Sequence, residues 1–287
     1  MKNKSVQIGI MGGRLSESIG NRIQAFPKDS WEKEFETAHD CGFDLIEWVF
    51  DTYENNPIMI PDGIQKIKFL SAKHGIGINS VCADYFMERM LFNVGNYDLE
   101  KNMKVLTNLI KGCNQLGIKI LEIPLVDSSS LKNKESEDQL ILNLEKILPI
   151  SEENGVMLTL ETDLSPQSFR SLLLRFNHPN IKANHDTGNS AALGYDVKEE
   201  LTAIGPWIKN IHIKDRKRKG STVPLGTGDT DFHSFFSTLS KINYDGDIII
   251  QGAREIGNSK IKPEVTCKKY LSYVRQYVDK YLSISHN

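Results

Sequence analysis

From one end of the chain to the other, short apolar runs rich in β-branched residues alternate with longer stretches whose apolar positions recur every three to four residues. This is the pattern of parallel strands joined by crossover helices. Eight runs are of strand type: 6–10, 44–49, 77–82, 118–123, 156–162, 181–186, 208–214 and 247–252. The clearest helical stretch places Leu99, Met103, Leu106, Ile110 and Cys113 on one face, at spacings of four and three. Four junctions repeat one device. Gly42, Gly75, Gly117 and Gly155 each follow a helical pattern and precede an apolar strand, where a left-handed helix cap is required.

A junction used four times implies one repeated β/α unit rather than two unlike domains. No Pro/Ser-rich linker divides the chain; the polar segment 127–138 (DSSSLKNKESED) is expected to be a long mouth loop or a frayed helix start. The 287 residues suit one large barrel, since such barrels run to about 250 residues as a unit. Eight units without a Gly-rich dinucleotide fingerprint argue against an open doubly wound sheet. The expected architecture is α/β, a single (β/α)8 barrel over residues 1–287.

Composition narrows the function classes. Charged residues make up 25% and the formal charge is -2, so neither a polyanion partner nor a membrane surface is suggested, and nucleic acid is not an expected partner. The segment MKNKSVQIGIMGG is too short and glycine-broken for a secretory apolar region, and no stretch approaches the roughly 20 apolar residues of a membrane span. The four cysteines, Cys41, Cys82, Cys113 and Cys267, form no CxxC pair. A reducing cytoplasm is the simplest home. The run from Lys214 to Lys219 resembles a nucleic-acid patch in isolation, but charge runs in loops are ordinarily solvated.

In a barrel of this kind the C-terminal strand ends converge on one mouth. Strand five ends there with Glu161, strand six with Asp186, strand seven with His212 and strand eight with Gln251. Alternation along a strand sends Thr159 inward with Glu161, Asn184 with Asp186, and Asn210 and Lys214 with His212. Taken singly, each residue has an ordinary role: a strand-end salt bridge, a cap for the helix before Gly188, a core histidine. Together, at matching depth on consecutive strands, two carboxylates and an imidazole suit one divalent ion, Mn, Mg, Co or Zn, and no thiolates are present for a closed structural zinc.

These residues, with IGIMGGRLS, GFDLIEW, PLGTGDTDFHSFFSTL and IIIQGAR, resemble the xylose isomerase-like barrel superfamily of sugar and sugar-phosphate isomerases and epimerases over nearly the whole chain. The resemblance implies a metal on a Glu, Asp, His, Glu set, matched here by Glu161, Asp186, His212 and, in the fourth place, Gln251. That glutamine is a departure: its amide oxygen coordinates but takes no proton, whereas the family's fourth Glu is both ligand and base. Candidates to replace it are Glu122, Glu47 and Lys214. A one-base isomerisation, with Glu161 moving a proton between adjacent carbons, also meets the difficulty. A second departure is Asn189, where many relatives carry a histidine; it is expected to contact substrate or a ligand water, or to be a plain turn residue before the next helix.

Arg14 and Arg254, at the exits of neighbouring strands one and eight, are placed to close on a phosphate or carboxylate. The expected activity is a metal-dependent isomerase or epimerase of a sugar, sugar phosphate or related polyhydroxy acid. Alternatives are a dehydratase or lyase with the same metal, and a barrel that binds a sugar without turning it over. The apurinic endonuclease branch needs a histidine-rich trinuclear site, and most of the seven histidines here fall away from strand ends. Of the tryptophans, Trp48 beside Glu47 should point away from the barrel axis if Glu47 points in. A terminal helix over 263–282, with Tyr270, Tyr273, Tyr277 and Tyr281, is expected to pack on the barrel, or to serve a partner subunit of a homo-oligomer.

Overall fold

The structure is a computed structural model and describes residues 6–20, 22–254 and 261–282. Readings that fall on residues 1–5, and His286, lie outside the described residues. Eight parallel strands close on themselves in chain order. They are β1 (Ile8–Met11), β2 (Leu45–Val49), β3 (Ser80–Cys82), β4 (Ile120–Leu125), β5 (Met157–Thr162), β6 (Ile181–Asp186), β7 (Ile208–Ile213) and β8 (Asp247–Ile250). The seam closes where Ile10 stands beside Ile46 on one side and Ile250 on the other.

The helices between them are α1 (Trp31–Cys41), α2 (Pro61–His74), α3 (Tyr85–Glu88), α4 (Asn96–Leu116), α5 (Lys134–Glu145), α6 (Leu148–Asn154), α7 (Pro166–Phe176), α8 (Thr187–Leu193), α9 (Val197–Ile204), α10 (Phe232–Lys241) and α11 (Pro263–Tyr281). The anticipated glycine junctions are left-handed caps, with φ between 62° at Gly155 and 88° at Gly42. On α4 the buried stripe runs through Val105, Leu106, Leu109, Ile110 and Cys113. Its N-terminal end, with Leu99 and Met103, rides higher and is only partly covered.

Several boundaries moved, among them strand one, at Ile8–Met11 rather than 6–10, and strand eight, which ends at Ile250 rather than 252. Strand three was expected from 77, but Gly77 makes only an isolated bridge to Leu45 and the ladder begins at Ser80. Strand four runs past Ile123 to Leu125, because Pro124 keeps an extended backbone beside Glu161 although it has no N–H to give the ladder. The polar segment 127–138 divides into a single 3-10 turn at Asp127–Ser129 and the first turn of α5.

Register sorts the barrel interior into layers. Gly9, Leu45 and Ile249 meet at one level, where a Cβ on Gly9 would come within 2.7 Å of Ile249 and 2.9 Å of Leu45, so only glycine fits. At the N-terminal end Asn79 donates to Asp247 across the barrel at 2.6 Å. Above the apolar level polar residues predominate on the inward face, among them Glu47, Glu122, Thr159, Asn184, Asn210 and His212. Outside, the strands pack on the helices through a continuous layer that includes Phe35, Leu106, Leu140, Leu172 and Phe235. Three tyrosines of α11 lie on α10, with Tyr273 edge-on to Phe232, Tyr277 stacked on Phe236 and Tyr281 against His233, while Tyr270 donates to the Ala253 carbonyl past β8.

Candidate active site

The C-terminal mouth opens into a cavity of about 1190 Å³ lined by, among others, Glu122, Glu161, Asn189, Lys214 and Gln251. At its floor His212 is fully buried and touches a carboxylate on each side. Its Nε2 lies 2.7 Å from Glu47 Oε2, and its Nδ1 lies 3.1 Å from Glu161 Oε2. Asn210 donates to Glu47 Oε1 at 2.7 Å, so Glu47 is a buried anchor for the histidine rather than a free base. Burial disfavours a charged imidazole, yet Glu47 and then Glu161 outweigh it and hold His212 well above the ordinary histidine range. Burial likewise pushes Glu47 up, but His212 wins and its carboxyl falls below the usual range.

Glu161 is fixed by two amides. Asn184 donates to Oε2 at 2.6 Å and Asn189 donates to Oε1 at 2.7 Å. Asn189 is in turn oriented by Arg216, whose guanidinium donates to Asn189 Oδ1 at 2.8 Å. An arginine can only donate, so this contact leaves the Asn189 amide nitrogen for Glu161. Alternation made Asn184 and Asn210 legible in the sequence as inward residues. Arg216 lies in the loop after β7, beyond any strand periodicity, and carried no such signal.

Glu122 behaves differently from its neighbours. It is wholly buried on β4, level with Cys82 and Thr159, and neither carboxyl oxygen has a hydrogen-bond partner. Burial, reinforced by the negative charge of Glu161, drives its carboxyl well above the ordinary range. Glu122, Glu161 and His212 each offer a ligand atom within 4.8 Å of the others. Sequence reading had placed Glu122 among possible bases rather than ligands, since the family quartet lies on strands five to eight.

The other two members of that quartet stand apart in this arrangement. Asp186 Oδ1 caps α8 by accepting from the Asn189 backbone N–H at 2.8 Å, and Oδ2 accepts from Lys214 Nζ at 3.2 Å. Burial alone would raise the Asp186 carboxyl, but Lys214 and His212 hold it low. Gln251 donates through Nε2 to Gln24 Oε1 at 2.8 Å, while its Oε1 is buried without a partner.

Arg14 and Arg254 lie side by side as expected, but every guanidinium nitrogen already donates within the chain. Arg14 holds the Gly252 and Ile23 carbonyls and Gln24 Oε1; Arg254 holds the Ile23, Ser16 and Gly13 carbonyls. Burial, then Arg254, lowers Arg14 to about 10. Their contacts stitch the loop after β1 to the exit of β8. The basic run after β7 is similarly engaged: Asp215 is buried in it, and Asp229 receives Lys217 and the Arg218 backbone N–H. Trp48 points outward as alternation required, donating to Asn56 and packing on Phe26 and Trp31.

Comparison with known proteins places this arrangement. A model of the xylose isomerase-like TIM barrel matches residues 35–266. SgbU of Haemophilus influenzae is 26% identical over 282 residues, covering 88% of this chain and 94% of that protein. L-ribulose-5-phosphate 3-epimerase UlaE of Shigella flexneri is 24% identical over 244 residues, covering 81% and 86%. Among solved structures, an L-ribulose 3-epimerase superposes with a TM-score of 0.78 at 17% identity, covering 98% of this chain and 99% of that one. The IOLI protein with a zinc atom gives 0.78 at 18% identity over 97% and 100%. Epimerisation, the activity named for UlaE, is of the class that the sequence resemblance implied. The closed barrel, its polar mouth and the match over most of the chain together show that the protein belongs to the xylose isomerase-like TIM-barrel family.

Proposed function

We propose that this chain is a divalent-metal-dependent isomerase or epimerase of a sugar or sugar phosphate, acting by proton transfer next to a carbonyl. The observation that carries the reading is the buried cluster of Glu122, Glu161 and His212 at the mouth, with both Glu122 oxygens and Gln251 Oε1 unpartnered. A buried carboxyl without a partner is costly. Hard oxygen donors around an imidazole nitrogen are what a divalent ion accepts. The residues present therefore fit such an ion. Glu161, Glu122 and His212 through Nδ1 would hold it, with Asp186 and Gln251 Oε1 facing the same mouth, and Glu47 on Nε2 supplies the carboxylate that commonly orients a ligating histidine. When bound, the ion supplies Lewis acidity to substrate oxygens.

Proton transfer falls to the chain's own groups. Glu161, held by Asn184 and Asn189, takes the proton from the carbon beside the carbonyl, and the C–H electrons move into an enediolate. Return of that proton by Glu161 to the neighbouring carbon, with the hydroxyl proton passing to the former carbonyl oxygen, completes an isomerisation. Delivery of a different proton from Glu122 to the original carbon completes an epimerisation. Glu47 is engaged by Asn210 and His212, and Lys214 by Asp186, which leaves Glu122 as the better second group. Lys214 and Asn189, both on the cavity wall, are the assigned contacts for substrate oxygens.

The test is incubation with L-ribulose 5-phosphate and Mn²⁺ in deuterated water. Wild type should wash deuterium into the substrate and form product; Glu161→Gln should lower both by about 10²–10⁴-fold. Glu122→Gln should retain washing-in while losing the inverted product. Absence of exchange in wild type over a panel of ketopentose and ketohexose phosphates and free ketoses would end the reading.

A further inference from the structure

The orientation of Gln251 is set from outside the mouth. Its amide nitrogen donates to Gln24 Oε1 at 2.8 Å, and Gln24 lies in the loop between β1 and α1, with no strand periodicity to mark it. Gln24 Oε1 also accepts from Arg14 at 3.3 Å, and Gln24 Nε2 donates to Asp84 Oδ2 at 2.6 Å. Arg14 is pinned by the Gly252 and Ile23 carbonyls and is buried. A guanidinium can only donate, so the polarity of the whole relay is decided at Arg14. Gln24 must turn its oxygen toward Arg14, Gln251 must then offer its nitrogen to that oxygen, and Gln251 Oε1 is left buried without a partner on the wall it shares with Glu122, Glu161 and Lys214.

We infer that Gln24 is a positioning residue that aims the Gln251 carbonyl oxygen into the mouth as a neutral ligand for the divalent ion, so that Gln24 and Gln251 form a matched pair. This rests on the metal reading given above. A carboxylate at 251 would set an oxygen against Gln24 Oε1, and a Gln24 turned to suit it would set its nitrogen against Arg14. The glutamine on β8 is thus fitted to its surroundings, and its amide is the group the relay is built to hold.

The experiment is Mn²⁺ titration by calorimetry on the full chain, with thermal unfolding as a control, for wild type, Gln24→Met, Gln251→Met and the double variant. Loss of a residue that orients a ligand weakens metal binding by roughly 10–100-fold, and that is the expected result for Gln24→Met with an unchanged melting profile. The double variant should bind no more weakly than Gln251→Met alone. If Gln24→Met does not fold, Gln24→Asn, one methylene short of its partners, takes its place with the same expectation. Wild-type affinity in Gln24→Met, or a weakening that recurs in full in the Gln251→Met background, overturns the inference while leaving the metal site standing. A folded wild type that takes up no Mn²⁺ overturns both.

Discussion

At the scale of single residues, the mouth works because polar side chains fix one another's orientation. Glu47 and Asn210 set His212, Asn184 and Asn189 set Glu161, and Arg216 sets Asn189. Apart from the part-buried Asn189 and Arg216, these are buried polar groups that lose a hydrogen bond when the partner is removed. Gly9 plays the opposite part, as a position where a side chain is excluded. Its missing Cβ would overlap Ile249 and Leu45 inside a closed ring of strands that has no free edge to give way. Gly9→Ala is expected to cost about 1–3 kcal/mol of stability, as overpacking does, measured by urea denaturation; a neutral result would show that the ring can widen.

The elements that carry the site are held by side chains acting on backbone. Asp215, just past β7, accepts from the backbone N–H groups of Gly226, Gly228 and Thr230, and so folds the loop that bears Arg216 over the mouth. Asp215→Ala should loosen this loop; limited proteolysis should then cut within 216–230, and the looser loop should raise KM more than it lowers kcat. Equal cleavage of wild type and variant would assign the loop's order to other contacts. Immediately after that loop, Asp231 caps α10 by accepting from the Ser234 N–H. Partial burial raises its carboxyl, but the hydrogen bonds from Ser234 prevail and hold it below the ordinary 3.8. A depressed folded pKa stabilises above the unfolded value, and that contribution is lost as pH falls through the folded one. Asp231→Ala should cost about 1 kcal/mol at neutral pH, with the gap to wild type narrowing below about pH 4, read from chemical denaturation across pH; a gap independent of pH would exclude the charged cap.

At the scale of the whole molecule, the barrel is closed by pairing β1 with β8, and Arg14 and Arg254 fasten the same seam above the ladder. Arg14 is buried, and its loss would take the side-chain donor from the Gly252 carbonyl and one of two donors each from the Ile23 carbonyl and the Gln24 oxygen. Arg14→Met is expected to lower the urea midpoint by the equivalent of about 2–4 kcal/mol, given that hydrogen bonds to charged groups contribute about 1.5–3 each, with an unchanged m-value because the same surface is exposed on unfolding. A changed m-value would instead mean that the barrel opens at this seam before it unfolds.

The chain's periodicity by itself determined the eight β/α units, the glycine caps and the inward direction of Glu161, Asp186, His212, Asn184 and Asn210. These are set by local geometry: a two-residue repeat chooses a face, and a left-handed cap demands glycine. The tertiary structure alone decided which inward residues meet. It brought Glu122 from β4 to Glu161 and His212, gave Asp186 to Lys214, turned Arg14 and Arg254 onto backbone carbonyls, and delivered Gln24 from a loop to Gln251. Periodicity specifies the face of a strand but neither its stagger against a neighbour nor the path of a loop, and partners as many as 241 residues apart are chosen only when the ring closes.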